Sequence, residues 1–109
     1  MSEDYLDCCA APQLETVRAI HESSHEDESL RQCKNCGRYW FYRFHEAISF
    51  GDNDDITIWY SPITEEETAH IMLTEGRPDL SFLANRPSFV KDAGGVRQTT
   101  GQPVKPWPW

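Results

Sequence analysis

Two cysteines separated by two residues, Cys33 and Cys36, offer the clearest chemistry in this sequence. They stand in the segment Cys-Lys-Asn-Cys-Gly, and two thiolates at this spacing can bind one tetrahedral Zn²⁺ from a tight turn. Gly37 follows the second cysteine, where a residue without a side chain relieves crowding as backbone amides approach the sulfur atoms. The pattern predicts a structural zinc site at this turn.

The other half of the predicted site is less regular. A closed structural zinc site has four ligands, and the adjacent cysteines Cys8 and Cys9 are the first candidates for the two remaining positions. We therefore predict that all four cysteines bind one Zn²⁺. In the alternative, a histidine replaces one of the adjacent pair. The histidines available for this are His21, His25 and His45.

The Cys-x-x-Cys-Gly turn and the aromatic residues that follow it resemble the knuckle of a zinc ribbon, over about residues 8–45. The resemblance implies a zinc-binding hairpin tip that is preceded by a β-strand. A zinc ribbon has a second Cys-x-x-Cys about 15–20 residues away, whereas here 23 residues separate Cys9 from Cys33. This departure leaves open whether Cys8 and Cys9 are both ligands or are incidental thiols in the N-terminal arm, residues 1–12.

A redox role for the Cys33–Cys36 pair is the competing interpretation. A redox pair of this spacing needs its first thiol at a helix N-terminus, which lowers the thiol pKa. The aromatic, strand-like sequence after Gly37 does not favour a helix. The sulfur-rich candidate ligands also leave no open metal position with a base beside it, so the sequence predicts structural rather than catalytic zinc.

Hydrophobic alternation predicts the strands that hold this turn in place. The segment from Arg38 to about Phe50 places aromatic residues on both faces, as expected of a central strand. A turn at residues 51–55 and a second strand at residues 56–60 complete a hairpin. Residues 14–22 fit either a helical stripe or a strand face, and we assign them to a further strand because a zinc ribbon would have one there. Residues 25–29 are assigned to a polar turn.

One helix is predicted after this hairpin. Thr64 is the predicted N-cap and Glu67 is its capping-box partner. The helix is expected to run to about Glu75, with Gly76 as its C-terminal cap. The side chains expected to form its buried stripe are Ala69, Met72 and Leu73.

A short second helix is predicted from Asp79 through Asn85, with Leu80 and Leu83 buried. The elements together predict one α+β domain, residues 1–109, with an antiparallel sheet. Its parts are a zinc-ribbon-like head at 8–45, a hairpin plus helices at 46–93, and a Pro- and Trp-rich extended tail at 101–109. We expect Trp107 and Trp109 to pack back on the domain.

The composition predicts a small, acidic, soluble domain. The chain has 109 residues and a net charge of −8, and it contains no apolar run near the ~18 residues of a membrane span. Its acidic N-terminus does not resemble a secretory signal, so we expect a cytoplasmic protein, whose reduced thiols favour metal binding over disulfides. An acidic surface repels phosphate backbones, which makes nucleic acid an unfavoured partner.

The acidic residues are concentrated in the middle of the chain. From Phe44 to Gly76 there are eight carboxylates and no Lys or Arg, a distribution that attracts a basic partner. Calcium binding by residues 52–55 is the alternative, but the spacing of an EF-hand loop is missing and a hairpin turn explains the segment. The predicted partner-binding residues are Asp52, Asp54, Asp55, Glu65 and Glu66.

By type, this chain resembles the small immunity proteins of bacterial polymorphic toxin systems. The segments that carry the resemblance are Cys-Lys-Asn-Cys-Gly-Arg-Tyr-Trp from Cys33 and Ile-Thr-Ile-Trp-Tyr-Ser-Pro-Ile-Thr-Glu-Glu-Glu from Ile56. The resemblance implies a non-catalytic inhibitor that neutralises a basic toxin.

A zinc-ribbon nucleic-acid or transcription accessory protein is the alternative function. An enzyme is the least favoured class, because the sequence has no metalloprotease, serine-hydrolase or phosphate-loop motif. The oligomeric state stays open. The basic residues that support the nucleic-acid alternative are Arg31, Lys34, Arg38 and Arg43.

Overall fold

Six antiparallel strands, paired in the order in which they occur in the chain, form one sheet. The structure is a computed structural model and describes residue 6 and residues 8–22, 26–47, 55–76, 78–92 and 95–101. The described helices are α1 (Glu65–Leu73) and a 3₁₀ helix (Ser81–Asn85), both between β4 and β5. The predicted α+β class is confirmed. The strands are β1 (Leu14–Glu22), β2 (Glu26–Cys33), β3 (Tyr39–Ala47), β4 (Asp55–Ile63), β5 (Pro87–Asp92) and β6 (Gly95–Thr100).

The aromatic strand β3 lies in the interior of the sheet, as its sequence predicts. It pairs with β2 on one side and with β4 on the other, so the predicted hairpin is present. Trp40 and Phe41 point to opposite faces and are both fully buried, which explains why neither face of β3 is polar. β4 runs from Asp55 to Ile63, beyond the predicted end at Tyr60. The predicted turn at residues 51–55 lies outside the described residues except for Asp55, which belongs to β4 instead.

Each face of the sheet has its own hydrophobic core. One face is covered by α1 and the 3₁₀ helix, and its buried residues are Leu30, Phe41, Ile63, Ile71, Leu80 and Leu83. On the other face, Leu6 of the N-terminal arm packs against Trp40 and Tyr60. The rings of these two aromatics meet edge to face, with 6.3 Å between their centroids, a favourable arrangement. Leu6 therefore belongs to this core.

The predicted polar turn at residues 25–29 is wrong for its described part. Residues 26–29 belong to β2, whereas residue 25 lies outside the described residues. A strand forms here despite the charged sequence, because Glu28 and Arg43 make a buried ion pair between β2 and β3, with Arg43 Nε 3.0 Å from Glu28 Oε2. A buried charge is tolerated when it is paired and hydrogen-bonded in this way.

The N-terminus of α1 matches its prediction in full. The Oγ1 atom of Thr64 accepts a hydrogen bond from the Glu67 N–H at 3.1 Å, and Glu67 Oε1 accepts one from the Thr64 N–H at 2.9 Å. The helix ends earlier than predicted, at Leu73, with Thr74 as its C-cap and Gly76 two residues further on at φ 73°.

The predicted buried stripe of α1 is wrong. Ala69, Met72 and Leu73 are exposed, and the buried helical residues are Thr68 and Ile71. Two long-range contacts hold the helix in this rotation, and neither is visible in the local sequence pattern. Arg86 binds Glu67 at the start of the helix, and Arg18 of β1 donates to the Ile71 carbonyl near its end.

The predicted short helix after α1 is present as the 3₁₀ helix, which buries Leu83 and follows the buried Leu80. Asp79 Oδ1 accepts a hydrogen bond from the Ser81 N–H at 3.0 Å. The residues after it form the β5–β6 hairpin, whose last strand was not predicted. The predicted extended tail at 101–109, with Trp107 and Trp109, lies outside the described residues except for Gly101. Sequence reasoning missed β6 because most of its residues are exposed and polar, so no hydrophobic alternation marks it.

Gly101 closes the hairpin against the 3₁₀ helix. Its φ is 81°, and a Cβ added there would lie 2.1 Å from the Ala84 carbonyl oxygen. Only glycine fits this approach.

Among the described helices, none is long and apolar enough to cross a membrane.

Glu67 has two structural roles, so its removal should be costly. It closes the capping box and forms a two-pronged ion pair with Arg86, in which Arg86 Nη2 lies 2.6 Å from Glu67 Oε2. We expect Glu67→Ala to lower the free energy of unfolding by about 1–2 kcal/mol, from the loss of a cap and a partly buried pair. Glu66→Ala, at an exposed neighbouring position, should change it by less than about 0.5 kcal/mol. Urea unfolding measures both.

The same pair gives this loss a pH dependence. The hydrogen bond from Arg86 lowers the pKa of Glu67, so the unfolded state binds the proton more readily than the folded state does. The stabilisation is therefore complete above the ordinary glutamate pKa of about 4.3 and falls as the pH drops below it. The difference between wild type and Glu67→Ala should shrink at pH 3. An unchanged difference would show that charge is not involved.

Candidate metal centre

The β2–β3 connection positions Cys33 and Cys36 on one tight turn. β2 ends at Cys33 and residues 34–36 form the turn. The Cys33 carbonyl accepts from the Gly37 N–H at 2.9 Å, and the Cys33 N–H donates to the Arg38 carbonyl at 2.9 Å. Gly37 has a φ of 83°, a conformation that glycine adopts without strain. The turn therefore forms from its own sequence.

The N-terminal arm brings Cys8 and Cys9 to this turn. Leu6 anchors the arm in the core, and two hydrogen bonds attach its end to the turn. The Lys34 N–H donates to the Gln13 carbonyl at 2.7 Å, and the Asn35 side-chain amide donates to the Ala11 carbonyl. The arm is thus fixed on both sides of the cysteine pair.

The four sulfur atoms lie close enough together to share one metal ion. The Sγ atom of Cys9 lies 3.7 Å from that of Cys33 and 4.0 Å from that of Cys8, and all four sulfurs lie within 4.8 Å of one another. Metal–sulfur bonds of about 2.3 Å in a tetrahedron place the sulfurs about 3.8 Å apart. All four cysteines are free thiols, and disulfide-bonded sulfurs would be only about 2.05 Å apart. The cluster can therefore bind a metal ion.

The environment of the cluster shifts the pKa values of three of its thiols. Burial raises the pKa of the Cys33 thiol, but hydrogen bonds from the backbone at Gln13, Cys36 and Asn35 outweigh it and bring the pKa down to about 6. Burial raises the pKa of Cys8 to about 12 and also raises that of Cys9. Four thiolates this close together repel one another, and a bound divalent ion offsets that repulsion.

The histidine alternative receives no support from the geometry. His21 is exposed on β1, and His45 pairs with Glu26 at the end of β2 opposite to Cys33. His25 lies outside the described residues. In the described part of the chain, the four cysteines are the one group of three or more His, Cys, Asp or Glu side chains arranged to hold a metal.

The predicted partner-binding residues are only partly described. Asp52 and Asp54 lie outside the described residues, and Asp55 is the first residue of β4. Glu65 and Glu66 are exposed in the first turn of α1, as that prediction requires of contact residues.

The four basic residues of the nucleic-acid alternative do not form a shared basic surface. Arg43 is buried against Glu28, and Lys34 lies 3.6 Å from Glu15. Arg31 stacks on the ring of Tyr42 and donates to the hydroxyl of Tyr60. Of the four, Arg38 alone is exposed without such a contact. Three of the four basic residues that cluster in the sequence are thus engaged by other side chains of the fold.

An open cleft of about 610 Å³ adjoins the cysteine cluster. The arm, the turn, β4, the start of α1 and the segment before β5 each contribute to its wall, so sequence spacing could not have revealed it. Its lining includes Cys8, Cys36, Arg38, Tyr39, Thr64 and Arg86.

No protein-family model, curated protein sequence or solved structure matches this chain. The donor set of the cluster therefore has to identify the class of metal. Four thiolate ligands select soft or borderline ions, such as Zn²⁺ or the iron of an iron–sulfur centre, over Mg²⁺ and Ca²⁺.

The cluster predicts that each cysteine is needed for tight metal binding. We expect Cys8→Ser, Cys9→Ser, Cys33→Ser and Cys36→Ser, made singly, to lower metal affinity by at least about tenfold, because a hard hydroxyl replaces a thiolate. His21→Ala is the matched control and should retain the metal. Elemental analysis of the purified variants after dialysis measures this. Full metal content in both the Cys8 and the Cys9 variant would limit the site to the turn cysteines.

Proposed function

We propose that this chain is a protein-binding domain, stabilised by structural zinc, that inhibits a basic toxin in the manner of an immunity protein. The observation that carries the proposal is a difference between the basic and the acidic side chains. The arginines are largely engaged in contacts within the fold, whereas several carboxylates stand exposed. The acidic excess of the sequence, a net charge of −8, is therefore presented to partners.

The engaged arginines are found in each part of the fold. Arg43 pairs with the buried Glu28 and Arg86 with Glu67. Arg18 donates to the carbonyl oxygens of Ile71 and Gly76 at the end of α1, where a cation stabilises the helix dipole. Arginine suits these positions because its planar guanidinium holds several hydrogen bonds at once.

The exposed carboxylates supply a surface for a basic partner. Glu65 and Glu66 share the first turn of α1 and are exposed, and neither forms an ion pair with a described residue. Clustered acids without interspersed cations cost self-repulsion that a purely solubilising surface avoids. A cationic cleft would relieve that repulsion and accelerate association.

Four thiolate donors support zinc as the metal of this proposal. Two of the sulfur–sulfur distances, 3.7 and 4.0 Å, lie near the edge of about 3.8 Å expected for a ZnS₄ tetrahedron. Four protein ligands leave no position for a substrate or an activated water, so the metal would be structural. A 109-residue chain has a modest core, and a metal that joins its N-terminal arm to its sheet adds stability.

The zinc assignment makes a direct prediction. The protein purified without added metal should contain about one Zn²⁺ per chain, and removal of the metal by a chelator should lower the melting temperature, since binding energy contributes to folding. Zn²⁺, Fe²⁺ and Cd²⁺ added back separately provide the comparison. Iron at the stoichiometry of an iron–sulfur centre, together with visible absorption, would show that the cysteines hold such a centre and not Zn²⁺.

The inhibitor proposal is tested with the purified product of the gene adjacent to this chain's own gene. We expect the two proteins to bind, and co-expression to relieve any growth arrest that the neighbour causes. Binding should weaken as salt increases. The variant Glu65→Lys/Glu66→Lys should slow association, by about tenfold or more at low salt, because it reverses two exposed charges.

The control for this variant is Glu15→Lys/Glu22→Lys, which changes the net charge equally at two exposed positions of β1. It should leave the association rate within about twofold. Melting temperatures of both variants show whether either substitution has disturbed the fold.

If the product of the adjacent gene is acidic, or is basic and does not bind, the result counts against the inhibitor proposal without affecting the zinc assignment. Tight binding of duplex DNA with a steep salt dependence would favour the nucleic-acid alternative.

A further inference from the structure

The last strand of the sheet, β6, is a regular edge. All six of its residues pair with β5 in one uninterrupted register, and no other described strand lies along its outer side. Five of its six residues are exposed, including Val96 at 44%. A straight exposed edge of this kind is a template for pairing with another strand.

The opposite edge of the sheet is built differently. The β1–β2 register shifts twice, between Thr16 and Arg18 and between Ala19 and His21, and such irregularities hinder the addition of a further strand. β1 also carries charged residues along its length. The sheet therefore has one irregular edge and one regular edge.

The charge on β6 sets it apart from the rest of this acidic chain. The strand has no carboxylate and one cation, Arg97, whose Nη1 atom lies 2.6 Å from the Oδ2 atom of Asp92 on β5. Two copies of the protein, each with a net charge of −8, would meet at this strand with little local repulsion.

The hydrogen bonds of the hairpin fix which backbone groups of β6 point outward. The Gly101 N–H donates to the Arg86 carbonyl at 2.7 Å, and hydrogen-bonded pairs alternate along an antiparallel ladder. Thr99 and Arg97 therefore bond inward to β5. Pro87, which has no N–H, lies opposite Thr100, in agreement with this alternation. The residues whose N–H and C=O groups point outward are Val96, Gln98 and Thr100.

We propose that β6 pairs antiparallel with β6 of a second copy of this chain, about a two-fold axis at Gln98. In this register each Val96 lies opposite Thr100 of the partner subunit, and the two Gln98 residues lie opposite each other. Each of these pairs exchanges two backbone hydrogen bonds, and every outward group of β6 is satisfied. The two six-stranded sheets become one continuous sheet, with a symmetric interface.

Side chains also favour this register over its neighbours. It places Arg97 opposite Thr99 of the partner subunit, a pairing without like charges. A shift that centres the axis on Arg97 would set two guanidinium groups directly opposite each other, which is unfavourable.

A contact of one short strand buries less than the roughly 1,200 Å² of a standard interface, so the dimer is weak and depends on concentration.

Analytical ultracentrifugation of the full-length, metal-loaded protein tests the proposal. Across roughly a hundredfold range of concentration, up to about 1 mM, the apparent mass should rise from 12.6 kDa toward twice that value. Gln98→Pro removes one outward N–H and leaves the bonds from Thr99 and Arg97 to β5, so it should give a monomer that still binds metal. A wild-type protein that stays monomeric over the whole range would overturn the proposal. This holds even if the tail at 102–109 or another protein pairs with the β6 edge instead.

A second variant keeps the test decisive if the proline disturbs the hairpin. Gln98→Lys sets two ammonium groups opposite each other at the axis and should weaken dimerisation about fivefold or more. Val17→Lys is the control, since it makes the same change of charge at an exposed position on the β1 edge. It should leave the dimer unchanged. Equal weakening by both lysine variants would mean that net charge, and not β6 pairing, controls association, and would overturn the proposal.

Discussion

The attachment of the N-terminal arm to the β2–β3 turn is the constraint on which the second face of the sheet depends. Four cysteine sulfurs meet there within 4.8 Å, and Leu6 of the same arm packs on Trp40 and Tyr60. An arm detached at the cysteines would withdraw Leu6 from this core and uncover part of both rings, and complete burial of one large apolar side chain contributes about 1.5–3 kcal/mol. A metal bound by this cluster would therefore stabilise the core on this face, because metal binding contributes to the free energy of folding.

The ion pairs within the fold leave the acidic excess of the chain unchanged. Arg43 lies inside the sheet with Glu28, and Arg86 joins the start of α1 to the segment before β5. Each such pair takes one cation and one carboxylate out of solvent together, so the excess of acidic residues, 18 against 10 basic ones, is not changed by them. The acidic surface of the proposed inhibitor thus follows from its composition, and arginine serves inside the fold because its planar guanidinium holds several hydrogen bonds at once.

Local sequence determined the features that could be predicted. The capping box of Thr64 and Glu67 needs only four consecutive residues, and the aromatic alternation of β3 made it recognisable as a central strand. The position of the metal turn followed from one Cys-x-x-Cys-Gly segment. The failures involve partners distant in the chain. Residues 26–29 form a strand because Glu28 pairs with Arg43 on the neighbouring strand. α1 buries Ile71 instead of Leu73 because contacts with Arg18 and Arg86 fix the rotation of the helix. The hydrophobic periodicity of the sequence contains no information about such distant pairs.

The two proposed interactions use separate parts of the molecule and can coexist. α1 packs through Ile71 in one core with Leu30 of β2 and Phe41 of β3, which are strands four and three positions away from β6 in the sheet. A strand added at β6 extends the sheet within its own plane, beyond β5. It covers backbone groups at the edge and leaves the outer side of α1 open. A dimer joined in this way would present two acidic helices to its partners, and two linked sites raise the effective affinity for any partner that is itself multivalent.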